Sequence, residues 1–545
     1  MREAAEEGEG TLKRVLGPFG LIAYGVGIIV GAGLFSITGL VAAEYAGPAT
    51  TISFVLAAIC CGFAGLCYAE FASRIPVSGS AYTYSYATMG ELIAWIIGWD
   101  LVLEYTVAAT CVSISWSQYL NVFLQGFGVV LPEAWTTNPF DGGIMNLPAL
   151  IIVVLMSLLI MRGTQESSWV NNVIVFLKVS VIVVFICFGW QFINTDNYTP
   201  YIPANTGVMG EYGWSGIVRG AAVAFFAFLG FDTVSTAAQE TRNPQRNMPI
   251  GIIGSLVVCT LLYVLFAHVM TGVAHYSEFL GQDGLAPVAL AINHMQEISA
   301  SSFGAGLSRA VIVAILFGYC SVIMLLLMGQ SRVFMAMSHD GLLPPTFSKI
   351  HHRFHTPIYN NAIFMVVVGL LAAFIPARVA GEMVSIGTLF AFTLVCAGVI
   401  VVRRTMKTIP TDATAHSSFA EAGEGNSFRV PFVPFIPICG IMVCIGLMLF
   451  LPADTWIRLL VWMLIGLDVY DLYGMQHSHL ERGRRRGYTL FRTLQMCLSI
   501  GCILTGFWHQ ETIGWDGPIA MTVIAVGVGL FHIAFLLYRM FGGKG

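Results

Sequence analysis

The stretch GVGIIVGAGLF (25–35) places four glycines, Gly25, Gly27, Gly31 and Gly33, inside an apolar run from Phe19 to Ala43. Such a run is long enough to cross a bilayer as a helix, which takes about 20 mostly apolar residues. Glycine in a helix interior costs about 1 kcal/mol relative to alanine, so this helix is weakened at its middle. Two explanations compete. Small residues at four-residue spacing, as in GIIVG (27–31), let neighbouring helices pack closely. Alternatively, the backbone unwinds there to line a cavity. A dinucleotide fingerprint is excluded, because no strand precedes the glycines and they lie within an apolar span.

The rest of the chain supports a membrane setting. Of 545 residues, 57% are apolar and 10% charged, with a mean hydropathy of +0.78; soluble domains carry about 25% charged residues. The expected class is an all-α polytopic membrane protein. The 12 cysteines lie in or at the ends of apolar segments, so neither a disulfide framework nor a zinc site is expected. The acidic start MREAAEEGEG (1–10) is not a secretory signal. The histidine group HHRFH (351–355) reads as solvated loop, with metal binding as the alternative.

Fourteen stretches qualify as candidate spans: 19–43, 49–72, 91–124, 147–162, 168–193, 214–240, 249–273, 305–338, 357–377, 381–402, 434–452, 455–474, 488–508 and 517–541. With the N-terminus inside, 21 of the 26 Lys and Arg residues fall in cytosolic stretches, and the long outside loops 125–146 and 194–213 hold none. This is the positive-inside asymmetry. It predicts an even number of helices with both termini cytosolic, in the inner or plasma membrane. The organisation that follows is a tail (1–18), a ten-helix core (19–402, halves 19–193 and 214–402), a loop (403–433), helices 11–12 (434–474), a basic loop (475–487) and helices 13–14 (488–541). The run ERGRRRG (481–487) sets topology or meets anionic lipid heads.

Gly31 lies about 18 Å from the cytosolic start of helix 1, and Gly230 about 15 Å from the same side on helix 6. Both sit near the midplane, at matching places in two five-helix halves. Paired glycine breaks of this kind point to a transporter binding site. Freed N–H groups at a new helix start attract an anion, and freed carbonyls attract a cation. Together they suit the carboxylate and ammonium of an α-amino acid.

Five motifs in order, GIIVGAGLF (27–35), CYAEFASRIPVSGSAYTYSY (67–86), FFAFLGFDTVSTAAQETRNPQRNMPIGI (225–252), GQSRVFMAMSHDGLLP (329–344) and VPFVPFIPICGI (430–441), resemble the amino acid–polyamine–organocation superfamily. The nearest branch is the cationic amino acid transporters and their bacterial relatives. The resemblance covers roughly residues 15–480. It implies a five-plus-five inverted repeat of the leucine-transporter-like kind plus two further helices; the pair in 488–541 lies outside the resemblance and brings the further helices to four. By motif, Gly31, Ala32 and Gly33, with flanking Ile28 and Val30, resemble the carboxylate segment. Phe226 resembles an aromatic that closes over substrate, and Ala227, Phe228, Leu229 and Gly230 the ammonium site. Asp232 matches an acidic position past the break. Side-chain selectivity in such proteins falls to helices 3, 6, 8 and 10.

Ionisable groups at membrane depth cost about 2.5–3.5 kcal/mol on insertion scales and are functional candidates. Lys178 lies about 15 Å into helix 5; it resembles a fixed cation where sodium-coupled members of this fold hold sodium between helices 1, 5 and 8. The alternative is a lysine reaching a loop carbonyl. Glu104 lies about 20 Å into helix 3, with Asp100 four residues earlier on the same face. Like charges there repel, which favours one being protonated; Glu104 is either a proton carrier or a structural hydrogen-bonding group. Glu240 and Arg242 read as a cytosolic gate or cap, and His268 and His532 as core.

The expected function is a secondary active transporter, a proton-coupled symporter of neutral or cationic L-amino acids. A sodium-independent exchanger or uniporter is the near alternative, and an amino-acid-sensing receptor the distant one. A receptor would need a signalling domain, and no tail or loop is long enough for one. An enzyme would need a clustered nucleophile, base and acid or a metal set, and none is found. Expected partners are the amino acid, protons and membrane lipids, with a small membrane-protein subunit left open; no nucleic acid, cofactor or metal is expected.

Overall fold

The computed structural model describes residues 16–31, 33–74, 81–162, 168–232, 234, 241–280, 286–299, 302–352, 354, 356–408, 428–477, 484–513 and 520–541. Ala32 and Glu240 lie outside these. The described chain is helical, and its only β-type contact is an isolated parallel bridge between Leu16 and Thr241.

The glycine-rich first segment is a broken helix. Helix α1 (Pro18–Ile29) ends at Val30, whose backbone turns extended (φ −72°, ψ 106°). Helical structure resumes as a wide turn, Gly33–Ile37, continues through α2 (Thr38–Val41) and stops after Ala46. Val30 and Gly31 are non-helical, and Gly33 already belongs to the second half. The reason is local: the Leu34 and Phe35 amides both reach back to the Gly31 carbonyl at 3.2 Å, which closes a turn immediately.

The first two glycines do a different job from the last two. A Cβ on Gly25 would sit 2.6 Å from Ser255 Cβ, and one on Gly27 would collide with Val175. On the opposite helix, a Cβ on Gly251 would meet Leu21 at 2.7 Å and one on Gly254 would meet Ile22. So α1 and α9 (Pro244–Val273) approach closely through small residues, as membrane helices do when packing drives association. Helix packing therefore explains Gly25 and Gly27, and unwinding explains the rest.

The segment 214–240 is also not one helix. It begins as α8 (Gly213–Ala224), tightens to a 3-10 turn over Phe225–Phe228, and ends at Leu229 with ψ 136°. Gly230 then adopts φ +108°, a conformation glycine takes at no steric cost.

The remaining helices are α3 (Thr50–Arg74), α4 (Ala81–Thr88), α5 (Glu91–Gln125), α6 (Leu147–Met161), α7 (Ser168–Gly189), α10 (Pro287–Ser299), α11 (Ser302–His339), α12 (Ile358–Phe374), α13 (Ala377–Thr408), α14 (Phe435–Leu449), α15 (Ala453–Val469), α16 (Arg484–Ile513) and α17 (Ala520–Phe541). Each of the fourteen apolar stretches carries helix. Two helices, α4 and α10, come from outside them; both are too short and polar to register as spans. Among the described residues, six helices are long and apolar enough to cross a membrane, and up to seven if the pair Phe435–Leu449 and Ala453–His477, bent by 116°, is one span.

Stacked indoles fasten α15 to α5. Trp99 stacks on Trp462 at 4.6 Å and on Trp95 at 5.8 Å. The Trp95 and Trp99 N–H groups donate to the carbonyls of Gly466 and Trp462, both at 2.9 Å. Beyond them, α16 and α17 attach to α15 through Arg492 on Asp471 at 3.2 Å and His532 on Asp468 at 2.7 Å. His532 is thus a polar docking residue rather than passive core. His268 is half-buried, stacked on Tyr198 at 4.8 Å, at a surface and not in the core.

A buried ion pair closes one end of the bundle. Glu70 on α3, 3% exposed, accepts from Arg403 Nε (3.0 Å), Arg403 Nη2 (2.7 Å) and the Val430 amide (2.7 Å). This fork joins α3, α13 and the segment leading to α14. Breaking a buried pair from one side costs about 3–5 kcal/mol, more than the pair contributes net. Arg403→Met should therefore lower the melting temperature of the purified protein by several degrees, and adding Glu70→Gln should restore part of it. Equal melting of the native protein and Arg403→Met would contradict this role.

Candidate functional site

The two breaks lie against each other. A Cβ on Gly33 would land on the Ala227 backbone, and one on Gly230 would sit 2.5 Å from Ile28 Cγ2. Each glycine admits the chain of the other break, so the end of α1, the restart at Gly33 and the end of the Phe225–Phe228 turn converge at one place. Backbone carbonyls released by unwinding need donors in a medium without water, and side chains from other helices supply them. Lys178 Nζ on α7 donates to the Gly27 carbonyl at 3.3 Å. The Tyr263 hydroxyl on α9 lies 2.9 Å from both the Ile29 and Ala227 carbonyls. The Tyr119 hydroxyl on α5 donates to the Phe35 carbonyl at 2.6 Å.

Beside the breaks is a cavity with about 580 Å³ of atom-free space, part of it open. Its backbone wall is Ile28, Ile29, Gly31, Gly33, Leu229 and Gly230, with the Phe226 ring alongside. Helix α5 contributes Tyr105, Ala108 and Val112, and α11 contributes Val322, Leu325, Leu326 and Gly329. None of the described residues that line it carries a charged side chain. A Cβ on Gly329 would already touch the Tyr105 ring at 3.4 Å, so the glycine sets the width there.

Of the residues named by motif, Ile28, Gly31, Gly33, Phe226, Leu229 and Gly230 line this cavity. Val30, Ala227 and Phe228 are not among the lining residues, and their side chains are at most 1% exposed. Ala32 lies outside the described residues. Selectivity was expected from helices 3, 6, 8 and 10; the tenth, α13, contributes no lining residue. The α5 and α11 contributors recur at three- to four-residue spacing (105, 108, 112; 322, 325, 326, 329), which is the signal that marks one face of each helix. That spacing alone does not say which face meets the cavity.

Lys178 is 2% exposed, and its stem packs on Gly318 of α11, where a Cβ would meet Lys178 Cε at 3.0 Å. It therefore touches α1 and α11 from α7, and reaches a carbonyl beside the break rather than a loop. Glu104 and Asp100 are 1% and 0% exposed, and among the described residues no donor meets their carboxyl oxygens in hydrogen-bond geometry. The Thr388 hydroxyl and Asp232 lie near Glu104, but the Thr388 proton goes to the Val384 carbonyl at 2.9 Å. Arg242 lies at the other end of the break's neighbourhood, where its amide donates to the Leu16 carbonyl at 2.9 Å, tying the start of α1 to the segment after α8.

Sequence reasoning missed Tyr263 and a second polar cluster around Glu382, 3% exposed at the start of α13. Glu382 accepts from Thr455 at 3.1 Å and Tyr45 at 3.5 Å, with Arg458 at 4.0 Å. Arg219 lies over the Tyr45 ring at 4.9 Å. These polar residues come from α8, α13, α15 and the turn that ends at Ala46, and only folding brings them together.

Residues 16–467 match the pattern of the family described as amino acid permease. The chain is 41% identical over 481 residues to the methylthioribose transporter of Bacillus subtilis (strain 168), covering 88% of this chain and 97% of that one. It is 42% identical over 485 residues to the branched-chain amino acid permease BcaP of the same organism, with the same coverage. The cationic amino acid transporter 4, vacuolar, of Arabidopsis thaliana is 29% identical over 590 residues, covering 87% of this chain and 94% of its own. Among solved structures, MhsT in complex with L-phenylalanine aligns with a TM-score of 0.55 at 12% identity, covering 80% of this chain and 99% of that one; at that identity the likeness concerns the fold. By these matches the chain belongs to the amino acid permease family, within the cationic amino acid transporter branch of the amino acid–polyamine–organocation superfamily, and is a multi-pass membrane transporter rather than an enzyme.

Proposed function

We propose that the protein is a proton-coupled, sodium-independent symporter of neutral L-amino acids with apolar side chains, working by alternating access. The observation that carries this reading is the pair of facing helix breaks beside a cavity lined without charge. The Gly31–Gly33 segment, where a new helix starts, is placed to receive a carboxylate. On this reading the carbonyls of Leu229 and Gly230, at the end of the second broken helix, receive the ammonium. The remainder of the cavity takes an aliphatic side chain; a lysine or arginine side chain would bury its charge there without a partner, which is expensive. A sugar thioether such as methylthioribose, which the name of one relative indicates for that relative, offers neither charged end to the two breaks.

On this reading the chain spans the cell membrane fourteen times, with both termini cytosolic and helices 1–10 forming two inverted halves. The positive-inside pattern and the paired breaks support it. Lys178 takes the place of a cation between α1, α7 and α11, since a second cation a few ångströms away would be repelled strongly at low dielectric. Protons travel with substrate through Lys178 or through Glu104 with Asp100, and Asp232 stands beside that pair. The Leu16–Thr241 bridge belongs to the inner closure, which opens when α1 swings.

The test is uptake into liposomes with internal and external pH and sodium set independently. Leucine uptake should rise with an inward proton gradient, ignore sodium and exceed arginine uptake at least tenfold. Sodium-dependent, pH-insensitive uptake would overturn the coupling; equal uptake of arginine would overturn the substrate class. Lys178→Met or Glu104→Gln should abolish the response to pH while leaving substrate binding measurable. Phe226→Ala should raise the KM for leucine about tenfold without loss of folded protein, because the ring covers the cavity; unchanged kinetics would remove it from the gate.

A further inference from the structure

Tyr263 is the residue that joins the two breaks. It is fully buried on α9, one helical face away from the Gly251 and Ser255 contacts with α1. Its ring is held by Phe228 at 5.2 Å and Phe54 at 5.6 Å. Its oxygen lies 2.9 Å from the Ile29 carbonyl, the last of α1, and 2.9 Å from the Ala227 carbonyl, in the 3-10 turn that ends the second broken helix. A phenol carries one proton, so a single O–H is shared by two acceptors at equal distance. Two carbonyl dipoles aimed at one point repel unless a donor or cation stands between them. Tyr263 does not line the cavity, but both carbonyls belong to backbone that does or that abuts it: Ile29 lines it, and Ala227 lies against Gly33.

We propose that the Tyr263 hydroxyl is a pin that fixes the spacing of the two unwound backbones and thereby sets the affinity for substrate. It is a positioning residue and acts through the Ile29 and Ala227 carbonyls. A neutral donor does here what a bound cation would do for the same two carbonyls, so the position is filled without an ion. The proposal rests on reading the cavity as the amino acid site. A tyrosine that merely fills the core predicts loss of stability when altered; a pin predicts loss of affinity.

Tyr263→Phe keeps the ring and its aromatic contacts and removes only the hydroxyl. In liposomes its KM for leucine should rise about tenfold, with the maximal rate within about twofold of native and the response to pH retained. In the same variant, amide hydrogen exchange over residues 28–36 and 225–232 should speed at least tenfold, while exchange in α12 and α16 stays unchanged. The exchange arm reads the pin even if leucine is not carried, so failure of the transport reading is separable. Should Tyr263→Phe fail to fold, 3-fluorotyrosine at position 263 preserves the shape and strengthens the O–H donor, and KM should fall. Unchanged KM with unchanged exchange in Tyr263→Phe, or a KM indifferent to fluorination, would overturn the proposal.

Discussion

A backbone carbonyl inside a bilayer must be paired, and the structure turns on how this chain meets that demand where two helices come apart. Water is absent there, and each unpaired polar group costs several kcal/mol. The chain answers with donors from three other helices: Lys178 for Gly27, Tyr263 for Ile29 and Ala227, and Tyr119 for Phe35. Once these are in place, the glycines at 33 and 230 let the two breaks meet. The cavity forms along that seam. Helices that carry no site residue follow from the same need, since α9 must lie tight against α1 for Tyr263 to reach both carbonyls. Gly25, Gly251 and Gly254 allow that approach.

Much of this was legible in the sequence. The helical class, the family and the two glycine breaks came from apolar runs, motifs and glycine spacing. Helix boundaries were less so. In the run 214–240 the glycine marks the break, but hydropathy does not register that α8 already tightens at Phe225 or that the chain turns at Leu229. Helices α4 and α10 escaped because they are short and mixed, so no apolar window exposes them. Tyr263 escaped for another reason. In LLYVLFAHV (261–269) it is one aromatic among apolar residues, and its partners lie 36 and 234 residues away. The apolar lining from α5 and α11 was equally silent, since a stripe at helical spacing describes core and cavity alike.

The polar groups sort by position. At one end, the Glu70–Arg403 fork ties α3 to α13. At the start of α13, Glu382 gathers Tyr45, Thr455 and Arg458. Between them, Asp100 and Glu104 are buried without donors among the described residues. The Glu70 carboxylate in the fork accepts three hydrogen bonds and Glu382 accepts from Thr455 and Tyr45, as buried carboxylates in structural networks do. The pair on α5 does not, and that contrast is what makes it a candidate for carrying a proton. The last two helices keep their own polar contacts to α15 through His532 and Arg492, and their attachment leaves the seam untouched.

The central claim is that backbone at the two breaks holds both charged ends of one α-amino acid. Competition against radiolabelled leucine by one-ended analogues tests it most directly. Leucine itself, leucinamide without the carboxylate and 4-methylpentanoate without the ammonium share one aliphatic side chain and differ only in those ends. The account predicts that unlabelled leucine displaces the label and that both analogues fail at a hundredfold higher concentration. Displacement by either analogue at concentrations near that of leucine would contradict it.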